Sequence, residues 1–270
     1  MQIEGKVAIV TGAGAGIGAA IAQRLVEHGA NVTVSDINGE TASLTAAQLN
    51  RIRIGSAIGV GSDAADETAL RALIERTERA HGPVDFYFAN AGVGLGAGLE
   101  AADSAWDTAW NVNTMAHVRA ARLLVPGWVD RGEGYFFSTA SAAGLLTQLG
   151  SPTYAVSKHA AVGFAEWLRV TYGDKGVRVS CLCPMGVNTD LLHAGDDAPD
   201  EASRIGARAV KSSGTVLEPL DVADMVIDAV GDERFLVLPH PEVLKFYRHK
   251  GADYERWIAS MQRYRASLGG

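Results

Sequence analysis

Tyr154 and Lys158 stand four residues apart in the run Tyr154-Ala155-Val156-Ser157-Lys158, ahead of the apolar positions Val162, Phe164, Ala165 and Leu168. On a helix, positions i and i+4 lie one above the other on one face, so a phenol and an ammonium are set side by side. A Tyr hydroxyl ionises near pH ~10 in isolation, and a neighbouring cation favours its anion. Such a pair can exchange a proton with a bound substrate near neutral pH. A buried Tyr next to a solvated Lys is the plain alternative, and the pair alone does not choose between them.

The elements around the pair give it a context. Val7 to Val10 reads as a strand that runs into Thr11-Gly12-Ala13-Gly14-Ala15-Gly16-Ile17-Gly18. An amphipathic stretch follows, with Ile21, Leu25 and Val26 inward and Gln23, Arg24 and Glu27 outward, and Val32 to Asp36 reads as a second strand. Strand, Gly-rich turn, helix and strand form a βαβ unit that aims a helix N-terminus at an anion such as pyrophosphate. A carboxylate at Asp36 can accept from a ribose 2′-hydroxyl and repels a 2′-phosphate, and Ala13, Ala15, Ser35 and Ile37 place no cation nearby. NAD is therefore expected over NADP.

The alternation continues down the chain. Helices are expected at Thr41–Leu49 and Glu67–Ala80, with a strand at Ala57–Val60. A strand over Val84–Ala89 leads into Asn90-Ala91-Gly92. A helical tract from Ser104 to Val129 is expected to break late, at Pro126-Gly127. A strand at Tyr135–Ser138, the helix Thr153–Tyr172 and strand Val177–Leu182 follow, then a helix at Asp221–Val230 and a last strand at Phe235–Leu238. Strands alternating with helices predict a doubly wound α/β fold, a parallel sheet with helices on both faces. No repeat, linker or low-complexity tract divides residues 1–270, so one domain is expected.

Composition narrows the function. The chain is 47% hydrophobic and 20% charged, enough apolar material for a large core. A net charge of −7 argues against a nucleic-acid surface. No apolar run reaches the ~18 residues of a membrane span, and Met1 leads at once into Gly5 to Val10, which predicts no cleaved leader. Cys181 and Cys183 alternate in one strand and match neither a disulfide framework nor zinc spacing, so no metal site is expected and a reducing cytoplasm fits.

Several motifs, in order, resemble the short-chain dehydrogenase/reductase family in its single-domain form. Thr11-Gly12-x-x-x-Gly16-x-Gly18 is similar to its nucleotide turn, Asn90-Ala91-Gly92 to its sheet-stabilising motif, and Asn113 lies in an Asn-Val-Asn context like that of its catalytic asparagine. Ser141 precedes Tyr154 by the spacing of its catalytic serine, and Pro184-x-Gly186-Val187-x-Thr189 resembles its nicotinamide-carboxamide segment. The resemblance implies a Rossmann-type fold that transfers a hydride between NAD(H) and a secondary alcohol or ketone. It implies that Tyr154 exchanges the substrate proton and that Lys158 lowers its pKa and bonds the nicotinamide ribose. Ser141 would hold the substrate oxygen, and Asn113 would anchor a water relaying protons from Lys158. Cofactor contacts are implied for Gly12, Gly14, Gly16, Ile17, Gly18, Asp36, Asp63, Ala64, Asn90, Ala91, Gly92, Tyr154, Lys158, Pro184, Gly186, Val187 and Thr189. The family commonly forms dimers or tetramers, so a homodimer or homotetramer is implied.

The substrate end is less defined. Gly94, Leu95, Leu146, Leu149, Met185 and the segment Leu191 to Ala209 are expected to line an apolar pocket. Met185 replaces the family's usual glycine, and either narrows this pocket or fills the core. Gly195 to Glu201 is polar, as in a lid, and the lid segment is placed near 190–212. Arg204, Arg208 and Lys211 read as a solvated helix face, with an anionic substrate as the alternative, and His193 as a surface residue. The tail near 241–268 holds Phe246, Tyr247, Tyr254, Trp257 and Tyr264 at helical spacing, read as packing on the body or on a second subunit rather than as an active-site element. Other function classes are a catalytically silent NAD-binding sensor or scaffold, which the intact Ser141, Tyr154 and Lys158 oppose, and an epimerase or dehydratase, whose larger C-terminal domain and different Gly-rich turn are not seen.

Overall fold

A computed structural model describes residues 1–196, 198 and 200–268. The expected lid residues Asp197 and Pro199, and the last two residues of the expected domain, lie outside the described residues. The strands are β1 (Val7–Thr11), β2 (Asn31–Asp36), β3 (Ala57–Gly61), β4 (Phe86–Ala89), β5 (Gly134–Thr139), β6 (Val177–Leu182) and β7 (Leu236–Val237). All pair in parallel in one sheet of order β3-β2-β1-β4-β5-β6-β7. The order reverses between β1 and β4, which opens the crevice where such sheets bind ligands.

Two apolar layers cover the sheet. Helices α1 (Gly16–Glu27), α2 (Gly39–Ile52) and α9 (Pro219–Asp232) pack on one face through Ile21, Leu25, Leu49 and Val226. Helices α3 (Glu67–His81), α5 (Ala116–Arg131) and α6 (Pro152–Tyr172) cover the other through Leu70, Leu124, Trp128 and Leu168. The strands alternate between the layers, Phe86 and Phe88 facing the first and Tyr87 the second. Between β4 and β5 aromatic rings meet in register, Phe88 against Phe137 with centroids 5.2 Å apart and Tyr87 against Phe136 at 5.7 Å. Such pairs add about 0.5–1.5 kcal/mol each beyond their buried area.

The chain departs from its sequence pattern in three places. The helix expected to break at Pro126 continues to Arg131 and ends on Gly132, whose φ of 72° is left-handed. Pro126 faces solvent, so the carbonyl that loses its N–H partner can bond water, while buried Leu124, Val125 and Trp128 hold the other face. The real interruption lies earlier: α4 (Asp103–Trp110) passes through a π-helical turn at Asn111–Met115 before α5 begins. Strand β4 starts at Phe86 rather than Val84, because the Val84 carbonyl accepts the Trp128 indole N–H at 2.8 Å.

Beyond the sheet edge the chain is helical. A short α7 (Asp190–His193) and α8 (Glu201–Ser212) follow β6, and α10 (Glu242–Ala252) and α11 (Tyr254–Leu268) follow β7. No helix is long and apolar enough to cross a membrane among the described residues.

Candidate active site

The segments leaving β1, β4, β5 and β6 open into one cavity of about 1140 Å³. That exceeds the ~300–1000 Å³ of a drug-sized pocket and leaves room for two ligands. One end is the turn after β1. The Thr11 hydroxyl accepts from the Asn90 and Ala91 N–H groups at 3.0 and 3.1 Å and donates to Phe88 O, tying the ends of β1 and β4 together. The Asn90 amide returns bonds to the Thr11 and Gly12 carbonyls. Gly12 has a φ of 59°, and a Cβ there would stand 2.8 Å from Ala91 Cα, so this turn accepts only glycine.

The residues fit a dinucleotide here. Among the described residues no side chain caps α1, as for α4, α6, α9 and α10, and the first turn of α1 holds no acid. Its free N–H groups, beside cavity-lining Gly16 and Ile17, are left for an anion. Asp36 also lines the cavity; its carboxylate accepts from the Gly14 N–H and the Asn38 N–H, both at 3.0 Å, and is thereby aimed. At the far wall the Thr139 hydroxyl is buried and has no hydrogen-bond partner among the described residues.

Ser141, Tyr154 and Lys158 meet in the cavity wall, joined by Asn90, Ala91, Gly92, Pro184, Val187 and Thr189 around its rim. Ser141 is buried; its Oγ accepts from the Ala143 N–H at 3.1 Å and faces Pro184 O at 3.4 Å. Lys158, 3% exposed, donates to Thr139 O at 2.9 Å, and its ammonium lies 5.6 Å from the Tyr154 ring. Burial pushes Lys158 down to about 8. Burial raises Tyr154 above its ordinary value, and the hydrogen bond with Ser141 pulls the other way. The Lys158 ammonium is drawn to the Thr139 carbonyl, and desolvation is the largest influence on the phenol. His117, buried behind Lys158, is neutral, since burial and the Lys158 charge bring it to about 3.

Other expected residues stand behind the wall. Gly14 supplies its N–H to Asp36, Gly18 packs against Gly12 O and Asn90, and Gly186 against Val210 and Val216. Asp63 is exposed and caps its own turn through the Ala65 N–H, with Ala64 buried beside it; neither borders the cavity. Asn113 is fully buried in the π turn. Its Oδ1 accepts from Val93 N–H at 2.8 Å, and its Nδ2 donates to Val93 O at 2.9 Å and Ser157 Oγ at 3.0 Å. A Cβ on Gly92 would stand 3.3 Å from both Asn113 Oδ1 and Lys158 Nζ, so Gly92 keeps these two side chains close.

The substrate end is the part the sequence left incomplete. Gly94, Leu95, Leu146, Leu149 and Met185 border the cavity as expected, as do Leu191, Ala202 and Ala207 of the lid segment. Met185 borders the cavity and also packs on Gly214, where a Cβ would stand 2.7 Å from its Cε. His193 is half exposed and bonds Asn188 and Asp196; Lys211 pairs with Asp196 at 2.5 Å, and Arg204 donates to Ala198 O. The tail, read as structural, lines the cavity: Phe246, Trp257, Met261 and Tyr264 all border it. The Tyr264 hydroxyl donates to Ala209 O at 2.9 Å and meets Ser212 Oγ at 2.7 Å, fastening α11 to α8. Aromatic spacing in the sequence marked these helices; only folding shows which surface they cover. Cys181 and Cys183 are free, their sulfurs 3.8 Å apart.

Comparison with known proteins agrees with this geometry. The family model "short chain dehydrogenase" matches residues 6–199. The 1-deoxy-11-beta-hydroxypentalenate dehydrogenase of Streptomyces exfoliatus is 32% identical over 96% of this chain and 92% of its own. The (+)-borneol dehydrogenase 1 of Salvia officinalis is 31% identical over 86% of this chain and 89% of its own. A crystal structure of a short chain dehydrogenase/reductase from Burkholderia phymatum in complex with NAD superposes with a TM-score of 0.86 at 31% identity, covering 94% of this chain and 96% of that one. The chain belongs to the short-chain dehydrogenase/reductase family, oxidoreductases that act on alcohols and ketones.

Proposed function

We propose that this single-domain protein transfers a hydride between NAD(H) and a secondary alcohol or ketone with an apolar body. The observation that carries the reading is the meeting of Ser141, Tyr154 and Lys158 in one cavity wall, opposite the uncapped α1 terminus and Asp36. Bound NAD(H) supplies the hydride chemistry. The aimed carboxylate of Asp36 suits the two hydroxyls of an unphosphorylated ribose and opposes NADP. Pro184, Val187 and Thr189 border the nicotinamide end, with Gly186 shaping their turn.

The proton side belongs to the chain's own residues. Ser141, held by Ala143 N–H, offers its hydroxyl to the substrate oxygen. Tyr154 as the phenol donates its proton to a ketone oxygen during reduction; in the reverse direction its own proton first leaves by way of Lys158, and the phenolate then takes the proton of the alcohol. Lys158 holds a charge that titrates at about 8, close enough to neutrality to pass a proton on. Asn113 has its side chain taken by Val93 and Ser157, so its part in anchoring a relay water falls to the backbone of the π turn.

The substrate wall of Leu95, Leu146, Leu149, Met185, Phe246 and Trp257 supports an apolar substrate, under a lid of α7 and α8. The borneol and hydroxypentalenate dehydrogenases among its relatives are in line with this. Exposed Val156, Trp167 and Val170 on α6, the last at 84%, support a homodimer or homotetramer, and the free buried thiols suit a reducing cytoplasm. NAD(H) absorbance over a panel of apolar secondary alcohols and ketones, with NADP(H) in parallel, tests the reading. Turnover with NAD is expected. NADH binding with no turnover of any compound favours the silent sensor, and a clear NADP preference removes the role given to Asp36.

A further inference from the structure

Lys250 lies on α10 in the tail of the chain and is only 7% exposed. Burying an ammonium is costly unless its three N–H groups find acceptors. Nζ donates to Leu145 O at 2.9 Å and Leu146 O at 2.6 Å, and His159 Nε2 stands at 3.5 Å. His159 Nδ1 lies 2.8 Å from the Ala155 carbonyl, so its proton sits there and Nε2 turns a lone pair toward the lysine. The rings of Trp257 and Tyr254 close the shell, 5.0 and 5.6 Å from Nζ. The partners are carbonyls, an imidazole and aromatic faces, with no carboxylate among them.

The two carbonyls belong to the stretch that carries Ser141. That residue caps a 3₁₀ turn, Ala142–Gly144, anchored at its start by the Ala142 N–H on Pro184 O at 2.8 Å; beyond that, Ala143 N–H bonds Ser141 Oγ, Gly144 N–H bonds Ser141 O, and the Leu145 and Leu146 N–H groups both bond Ala142 O. The Leu145 and Leu146 carbonyls at the end of this stretch project outward, where a helical turn leaves acceptors unsatisfied and favours a cation. Lys250 supplies that cation from 104 residues further along the chain.

We propose that Lys250 is a positioning residue: by closing the Leu145 and Leu146 carbonyls it holds the turn that sets the Ser141 hydroxyl against the substrate oxygen. The inference rests on the hydride-transfer reading for what Ser141 does, and on geometry alone for what Lys250 holds. It makes turnover depend on the C-terminal helices, and not only on the cavity they cover.

Hydrogen exchange of the full chain separates the two parts. In Lys250→Met, amides 142–149 should exchange about tenfold faster while the sheet strands stay protected. Lys250→Arg, which keeps a donating cation, and Lys245→Met, the same change at an exposed site of α10, should stay near wild type. With borneol and cyclohexanol as probes, Lys250→Met should lose about 100-fold in kcat with KM within about threefold, as displaced reacting groups do. Its NADH affinity, read by tryptophan fluorescence, should not change. Unchanged exchange at 142–149, acceleration spread evenly over the chain, or local acceleration with undiminished kcat would each overturn the proposal. If wild type oxidises no alcohol, the hydride-transfer reading fails, and the exchange data still decide whether Lys250 holds the turn.

Discussion

The two ends of the cavity are built by different means. At the dinucleotide end, β1, α1 and β2 are adjacent in sequence, most of their apolar side chains are buried, and the turn is tied down by bonds of Gly14 N–H to Asp36, Thr45 to Gly14 O and Asn90 to Thr11 O. At the substrate end, α8 and the adjoining pair α10 and α11 come from two separate stretches, and α11 has no fully buried residue. Polar latches fasten the two tail helices, the Tyr264 hydroxyl holding α11 to α8 and the Lys250 ammonium holding α10 to the Ser141 turn. The dinucleotide end is therefore preformed, and the substrate end is drawn from the low-stability part of the fold. A shared cofactor needs one shape. Substrates vary, and a latched pair of helices changes without disturbing the sheet.

Tyr154→Phe tests the seam between these ends and has the largest expected effect. It should cut kcat by about 10²–10⁴-fold, the range of a lost general acid, while NADH still binds. Gly18→Ala should break the dinucleotide end alone, because a Cβ there would stand 2.3 Å from Gly12 O and 2.6 Å from Asn90 Nδ2. Overpacking of this kind costs about 1–3 kcal/mol, to be read as a lower melting temperature with NADH binding weakened about tenfold or more.

Lys158 gives a pH test. Its pKa of about 8 in the folded protein lies below the ordinary 10.5. Below pH 8 both states hold the proton and the folded protein bears the whole cost of burying it. Between pH 8 and 10.5 the unfolded chain binds more protons, so stability rises with pH by up to about 3 kcal/mol. Urea midpoints of wild type relative to Lys158→Met should shift toward wild type across that window in the absence of cofactor. A flat difference contradicts the burial argument.

Asp36→Ala should lower the preference for NAD over NADP in kcat/KM by about tenfold, the worth of one charge-assisted hydrogen bond. The smallest effect belongs to the substrate end: Tyr264→Phe removes the bond to Ala209 O and should raise KM for an apolar alcohol about threefold, with NADH affinity kept. If Tyr264→Phe weakened NADH binding as strongly as Gly18→Ala, the two ends would not be independent.

Sequence determined the dinucleotide half because its constraints are local. Gly12 and Gly16 answer to a turn geometry within a few residues, with φ of 59° and 56°, and period-2 and helical patterns place β1, α1 and β2. The Tyr154–Lys158 pair follows likewise from one turn of α6. What the tertiary structure alone decided was long-range. Asn113 turns out to bond Val93 and Ser157 because the helix before α5 loosens into a π turn, which no periodicity announces. The Lys158 ammonium donates to Thr139 O and both members of the pair are buried, because burial depends on what surrounds the pair and not on its spacing. Asp63 falls away from the cavity, while Phe246, Trp257 and Tyr264 line it. An amphipathic helix states in its sequence that one face will be covered; which surface covers it is settled by the shape the rest of the chain presents.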